Sequence, residues 1–195
     1  MIPIKQHTMA NQKSGFLANY IANPKERRLV LLFFILTAIL NITGIFIILA
    51  FYQKIMAVNF RQYKHLFRQF GSISEYGFFV ALSIYPIFFI LKWKNIKKLQ
   101  WGKFQIKALL QPLGKLVRKW HVPAALVSTG IVLLHGVLAI LKGFKLDFTY
   151  LSGISATIIL FFLLIMGLKR YKRNDRKWHF RLAVIFLILF LVHAG

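Results

Sequence analysis

Residues 118–135 read RKWHVPAALVSTGIVLLH and residues 176–193 read RKWHFRLAVIFLILFLVH. Arg-Lys-Trp-His recurs after 58 residues, and in each copy a second histidine follows the first by fourteen positions. His121 therefore matches His179 and His135 matches His193, which accounts for four of the six histidines. Between its two histidines each copy is almost wholly apolar, so each reads as one membrane-crossing helix that carries a histidine toward either end.

Composition supports a membrane chain. Of 195 residues 58% are apolar and 16% aromatic, more than a soluble domain carries. Five apolar runs are long enough to cross a hydrocarbon core, at about 29–51, 73–91, 120–141, 150–168 and 178–195. The expected fold class is all-α, an integral membrane bundle of five transmembrane helices with amphipathic interfacial segments. Residues 1–28 form a basic tail without a cleavable signal pattern, so the first run is read as a retained helix. Glu26, Glu75, Asp147 and Asp175 are the only acids, and all four are expected in loops or flanks, leaving no carboxylate within the bilayer. No cysteine is present, which excludes disulfides, thiolate ligands, iron–sulfur sites and covalently attached haem. The net charge of +23 comes from short basic blocks beside apolar runs, which fits anionic lipid and membrane topology and not nucleic acid.

In chain order, Asn41, Thr43 and Gly44 in the first span are expected to face neighbouring helices. Phe60, Tyr63, Phe67 and Phe70 recur at helical spacing between Gln53 and Gly71, which predicts an amphipathic helix on the membrane surface with His65 turned to water or headgroups. Pro86 should kink the second span or free a carbonyl there. Lys92 to Lys119 carries nine bases and reads as short interfacial pieces. Pro123 is placed in the first turn of the third span. Gly153, Ser155, Thr157 and Gly167 are read as packing residues of the fourth.

Loop charge orients the bundle. Lys and Arg number five before the first span, nine between the second and third, and six between the fourth and fifth, against four and two in the other connections. By the positive-inside rule the N-terminus is cytoplasmic and the C-terminus outside, in the cytoplasmic membrane. The third and fifth spans then run parallel. Fourteen residues advance a helix by roughly 21 Å and turn it to within about 40° of its starting face. His121 should therefore meet His179 at one depth, and His135 should meet His193 at the other.

Two facing histidines at each of two levels is the geometry that clamps two haem b groups, each iron taking four porphyrin nitrogens and two imidazoles. A zinc ion at either level would need two further ligands. The histidines that follow Trp120 and Trp178 could each serve as an interfacial anchor. The repeated spacing decides for ligation. Arg118, Lys119, Arg176, Lys177 and Arg181 are candidate partners for the inner haem propionates, and equally candidate lipid anchors. Ser128 and Gly130 are small enough to admit a porphyrin face or a neighbouring helix.

The pattern of His121, His135, His179 and His193 resembles the ferric-reductase-like transmembrane domain, in which the third and fifth helices each carry two histidines about one membrane apart. The resemblance covers mainly residues 118–195 and implies two stacked b-type haems passing electrons across the membrane. A sixth helix and a flavin- and nicotinamide-binding domain are not found in this sequence, nor is a GxGxxG fingerprint. The expected donor is therefore quinol or a separate flavoprotein, and the expected acceptor lies outside, for instance a cytochrome. This makes the chain an electron-transfer subunit of a membrane oxidoreductase. The rival readings are a haem-free integral scaffold or assembly subunit and, less supported, a transporter.

Overall fold

The structure is a computed structural model describing residues 16–58, 60–98, 100–101, 104–144, 146–170 and 176–194. Most of the basic tail and the greater part of the loop after the fourth span, with Asp175, lie outside the described residues. Six α-helices follow in order: α1 Pro24–Val58, α2 Phe60–Leu82, α3 Ile84–Lys92, α4 Ile106–Leu141, α5 Phe148–Arg170 and α6 Arg176–Ala194. A 3-10 turn at Lys94–Lys97 and a two-residue antiparallel pair, β1 Gln100–Trp101 with β2 Phe104–Gln105, join α3 to α4. Five helical segments are long and apolar enough to cross a membrane, with α2 and α3 counting as one. The chain is an integral membrane helical bundle.

Two boundaries differ from those expected. The stretch up to Gly71 is not a separate surface helix, because from Phe60 onward it is the first half of α2. Its apolar stripe faces protein: Tyr63 is 1% exposed and clusters with Ile48, Leu134 and Leu138, with Phe67 and Phe70 packed against them. This extension places Glu75, half-buried, inside the membrane-spanning segment, so the expectation that every carboxylate lies in a loop or flank is corrected. The third span does not begin at Trp120 either. α4 starts at Ile106, which puts Pro123 deep in the helix and leaves the Lys119 carbonyl without that residue's N–H.

Pro86 behaves as expected. The helix breaks between α2 and α3 at Ser83, one turn before the proline that cannot donate to the preceding turn. In α1, Asn41 and Gly44 face α4, Gly44 lying against Leu134 and Asn41 against Gly130, whereas Thr43 is exposed.

The end of α4 is gripped from three directions. The hydroxyl of Tyr63 from α2 donates to the Leu138 carbonyl, and that of Tyr52 from α1 to Leu141 at 2.8 Å. Tyr150 from α5 places its hydroxyl 3.2 Å from the Ala139 carbonyl and 3.1 Å from that of Gly143. The last carbonyls of a helix run short of backbone donors and a bilayer supplies none. Tyrosines from neighbouring helices therefore bond Ala139 and Leu141, and Tyr63 adds a second donor to Leu138, which also accepts the Lys142 N–H. Gly143, at φ 111°, then turns the chain out of the helix in a conformation that favours glycine.

Removing the Tyr63 hydroxyl as Tyr63→Phe should destabilise the detergent-solubilised protein by about 0.6 to 1.7 kcal/mol, the range for interhelical hydrogen bonds in membranes. Tyr76→Phe, at a residue 72% exposed, should leave it unchanged. Denaturation midpoints of the two variants against the parent check this, and equal midpoints would remove the collar from the account.

Candidate functional site: two histidine pairs at two depths

The four histidines of the repeat pair as their spacing predicts. The rings of His121 and His179 lie 6.3 Å apart between centroids with their planes at 79°. Those of His135 and His193 lie 6.3 Å apart at 81°. A metal–nitrogen bond of about 2.0 Å, and about 1.1 Å more from nitrogen to ring centre, puts two imidazoles on opposite sides of one ion roughly 6.2 Å apart. The separation in both pairs is close to that value. Among the described residues no three His, Cys, Asp or Glu side chains gather as a ligand cluster, so Glu75 does not join either pair.

The rings are also held from behind. Nδ1 of His121 lies 2.8 Å from the Ala81 carbonyl, Nδ1 of His135 3.0 Å from that of Phe67, and Nδ1 of His193 2.9 Å from that of Thr149. A carbonyl can only accept, so in these three contacts Nδ1 carries the proton and the neutral ring has its acceptor lone pair on Nε2. Metal-binding histidines recurrently show this second contact, which fixes tautomer and ring plane together. His179, 7% exposed, sits opposite Gly167 of α5.

Two of the acceptors share a local device. Phe67 is followed four residues later by Gly71, and Thr149 by Gly153. Residue i+4 lies one turn above residue i on the same helix face, so its side chain would cover the carbonyl that the imidazole reaches. A Cβ on Gly71 would stand 3.2 Å from His135 Cε1, and one on Gly153 2.7 Å from His193 Cε1. The glycines open slots for the rings. Read only as packing residues, Gly153 and Gly167 carried an unused signal: they are fourteen apart, as His179 and His193 are, on the antiparallel neighbour. The carbonyl acceptors Phe67 and Ala81 repeat that interval on α2.

α4 packs along α2 and α1, and α6 along α5, while α4 and α6 are not packed closely on each other. Midway between the levels stand Ser128 on α4, 2% exposed, and Phe186 on α6. Phe186 meets Phe78 of α2 edge-on at 5.0 Å and lies parallel to Phe190 at 5.8 Å. Ser128 fills the place where a side chain on Gly77 would go, and Gly130 receives Thr37 and Asn41 of α1. Both small residues thus serve helix approach, not a porphyrin face.

Among the described residues the basic candidates have separate surroundings. Arg118 borders a groove between α3 and α4 with Phe88, Leu91, Gln111 and Lys115. Lys119 extends over the Trp120 ring at 5.9 Å, and Arg181 over Trp178 at 5.1 Å. Lys177 is exposed, and the side chain of Arg176 lies outside the described residues. The tryptophan contacts are those of interfacial anchors. His65 is exposed, as expected.

Comparison with protein-family models, curated proteins and solved structures returned no match to this chain. The case for a site rests on the geometry above.

Gly153→Ala should displace His193 and destabilise the protein by about 1–3 kcal/mol, the usual cost of overpacking. Gly136→Ala, where a new Cβ meets nothing within 4 Å, is the matched control and should be neutral or slightly stabilising. Denaturation of both variants decides, and equal effects would reject the slot.

Proposed function

We propose that this chain is a di-haem membrane cytochrome b of the ferric-reductase-like kind, with His121 and His179 as axial ligands of one haem b and His135 and His193 of the other. The observation that carries this reading is one geometry built at two depths: 6.3 Å between ring centroids in both pairs, with three of the four rings bonded to backbone carbonyls through Nδ1. When bound, haem supplies a one-electron centre, and two axial imidazoles favour outer-sphere electron transfer over chemistry at an open iron position.

The protein orients and insulates. The Nδ1 contacts fix the rings of His121, His135 and His193, and the packed rings of Phe78, Phe186 and Phe190 make the space between the levels apolar. The excess of basic residues in the tail and in the connections before α4 and α6 favours an N-terminus in the cytoplasm and a C-terminus outside. That orientation makes His121 and His179 the inner pair and His135 and His193 the outer. Electrons enter from quinol or a separate flavoprotein and leave to an extracytoplasmic acceptor such as a cytochrome. Arg118, Lys119, Arg176, Lys177 and Arg181 flank the inner level, and the placement of Lys119 and Arg181 over interfacial tryptophans favours anionic lipid as their partner.

Purified protein should contain two haems per chain and show the paired reduced-minus-oxidised bands of b-type haem. His135→Ala or His193→Ala should remove the outer haem and leave the inner spectrum, and His121→Ala or His179→Ala should do the reverse. A preparation with no Soret band would instead support a haem-free scaffold, and variants that keep both haems would reject the ligand assignment.

A further inference from the structure

The repeat makes the two sites alike, but one contact breaks the likeness. The carbonyl that holds His121 belongs to Ala81, whose side chain is a methyl group. The carbonyl that holds His135 belongs to Phe67, whose ring also lies against the imidazole, 4.2 Å between centroids with planes at 25°. Lys142 places its ammonium over the same Phe67 ring, 5.5 Å from the centroid. A phenyl ring thus has an imidazole on it and a cation above it, and both are drawn to its π-system.

Lys142 is well placed to hold this position. It is the first residue after α4, and its backbone N–H donates to the Leu138 carbonyl at 3.0 Å. The carbonyls of that last turn are bonded by Tyr52, Tyr63 and Tyr150, so the turn that carries Lys142 is tied to three other helices. Asp147, the next acid along the chain, accepts the Tyr150 N–H at 2.8 Å at the start of α5. No carboxylate pairs with Lys142 among the described residues.

We infer that Lys142, held over the Phe67 ring that stacks on His135, is a positioning residue that raises the reduction potential of the His135/His193 site. A fixed positive charge favours the reduced, less positive form of a nearby metal centre, and it acts more strongly from the edge of a low-dielectric bundle than through water. The inference rests on the proposed haem ligation. It adds a specific residue that tunes one of the two sites, through a ring contact made by His135.

Redox titration of the haem-loaded protein, resolved into its two components, tests this. Lys142→Gln should lower the reduction equilibrium constant of the component lost in His193→Ala by about threefold, about 28 mV at 59 mV per tenfold for one electron, leaving the other component in place. Lys142→Arg, which keeps the cation, should restore the parent value. Phe67→Leu keeps the carbonyl acceptor and removes the ring; it should shift the same component downward and change the low-spin electron paramagnetic resonance signal of that site alone. Equal movement of both components, or none in a haem-loaded Lys142→Gln protein, would overturn this inference while leaving the proposed function standing. Absence of haem from the parent protein would sink both.

Discussion

An imidazole N–H inside a bilayer needs an acceptor, and that need, met on backbone carbonyls by His121, His135 and His193, shapes the bundle. Leaving it unmet costs several kcal/mol, and the lipid around it offers nothing. Helix carbonyls are the acceptors on hand, and each has a second lone pair beyond the one used in its own helix. Reaching that lone pair requires a clear approach to the backbone. Glycine one turn beyond Phe67 and Thr149 provides the approach for His135 and His193. His121 reaches Ala81 in the last turn of α2, where the helix is already giving way before Pro86.

The division of labour among the helices follows. α4 and α6 carry histidines, and α2 and α5 carry the carbonyls that hold His121, His135 and His193. Since each histidine helix is bound to its own backing helix, α4 and α6 need not pack on each other, and the histidines span the gap between them. A fourteen-residue interval on all four helices keeps the two levels in register, because antiparallel neighbours with the same interval meet at both ends or at neither. α1 stands outside this constellation. It is joined to α4 by Gly44 against Leu134, by Thr37 and Asn41 in the notch at Gly130, and by the edge-on contact of Phe33 with Trp120 at 5.7 Å.

Histidine pairing and span number were legible because both follow from periodicity. Fourteen residues return to nearly the same helix face, and the charge bias makes the two copies parallel, so the partner of each histidine follows without any knowledge of packing. The helix boundaries were not legible in the same way. Phe60 to Phe70 carries one apolar stripe and several bases, and that pattern looks the same whether the stripe meets lipid headgroups or another helix. Only the burial of Tyr63 under α4 separates the two. The misplacement of Glu75 and Pro123 follows from taking basic residues as span ends, whereas long helices carry Lys and Arg well past the hydrocarbon on side chains that reach back to water. Gly71 and Gly153 were missed because a glycine in an apolar helix has many uses. Its use here shows only when the facing histidine is known.

The centre of the bundle bears on what can cross it. Between the histidine levels the described side chains are mainly hydrocarbon: Phe78, Leu160, Phe186 and Phe190 in one packed cluster, with Val132 against it. Proton conduction needs ordered water or a chain of ionisable groups spaced within hydrogen-bond reach, and at this depth Glu75 is a lone carboxylate one turn from Phe78. An electron needs neither water nor a proton relay, because it tunnels through packed side chains between centres. Under the proposed function, an apolar core between two histidine pairs is therefore selective: it opposes proton leakage across the membrane and places no comparable barrier before an electron.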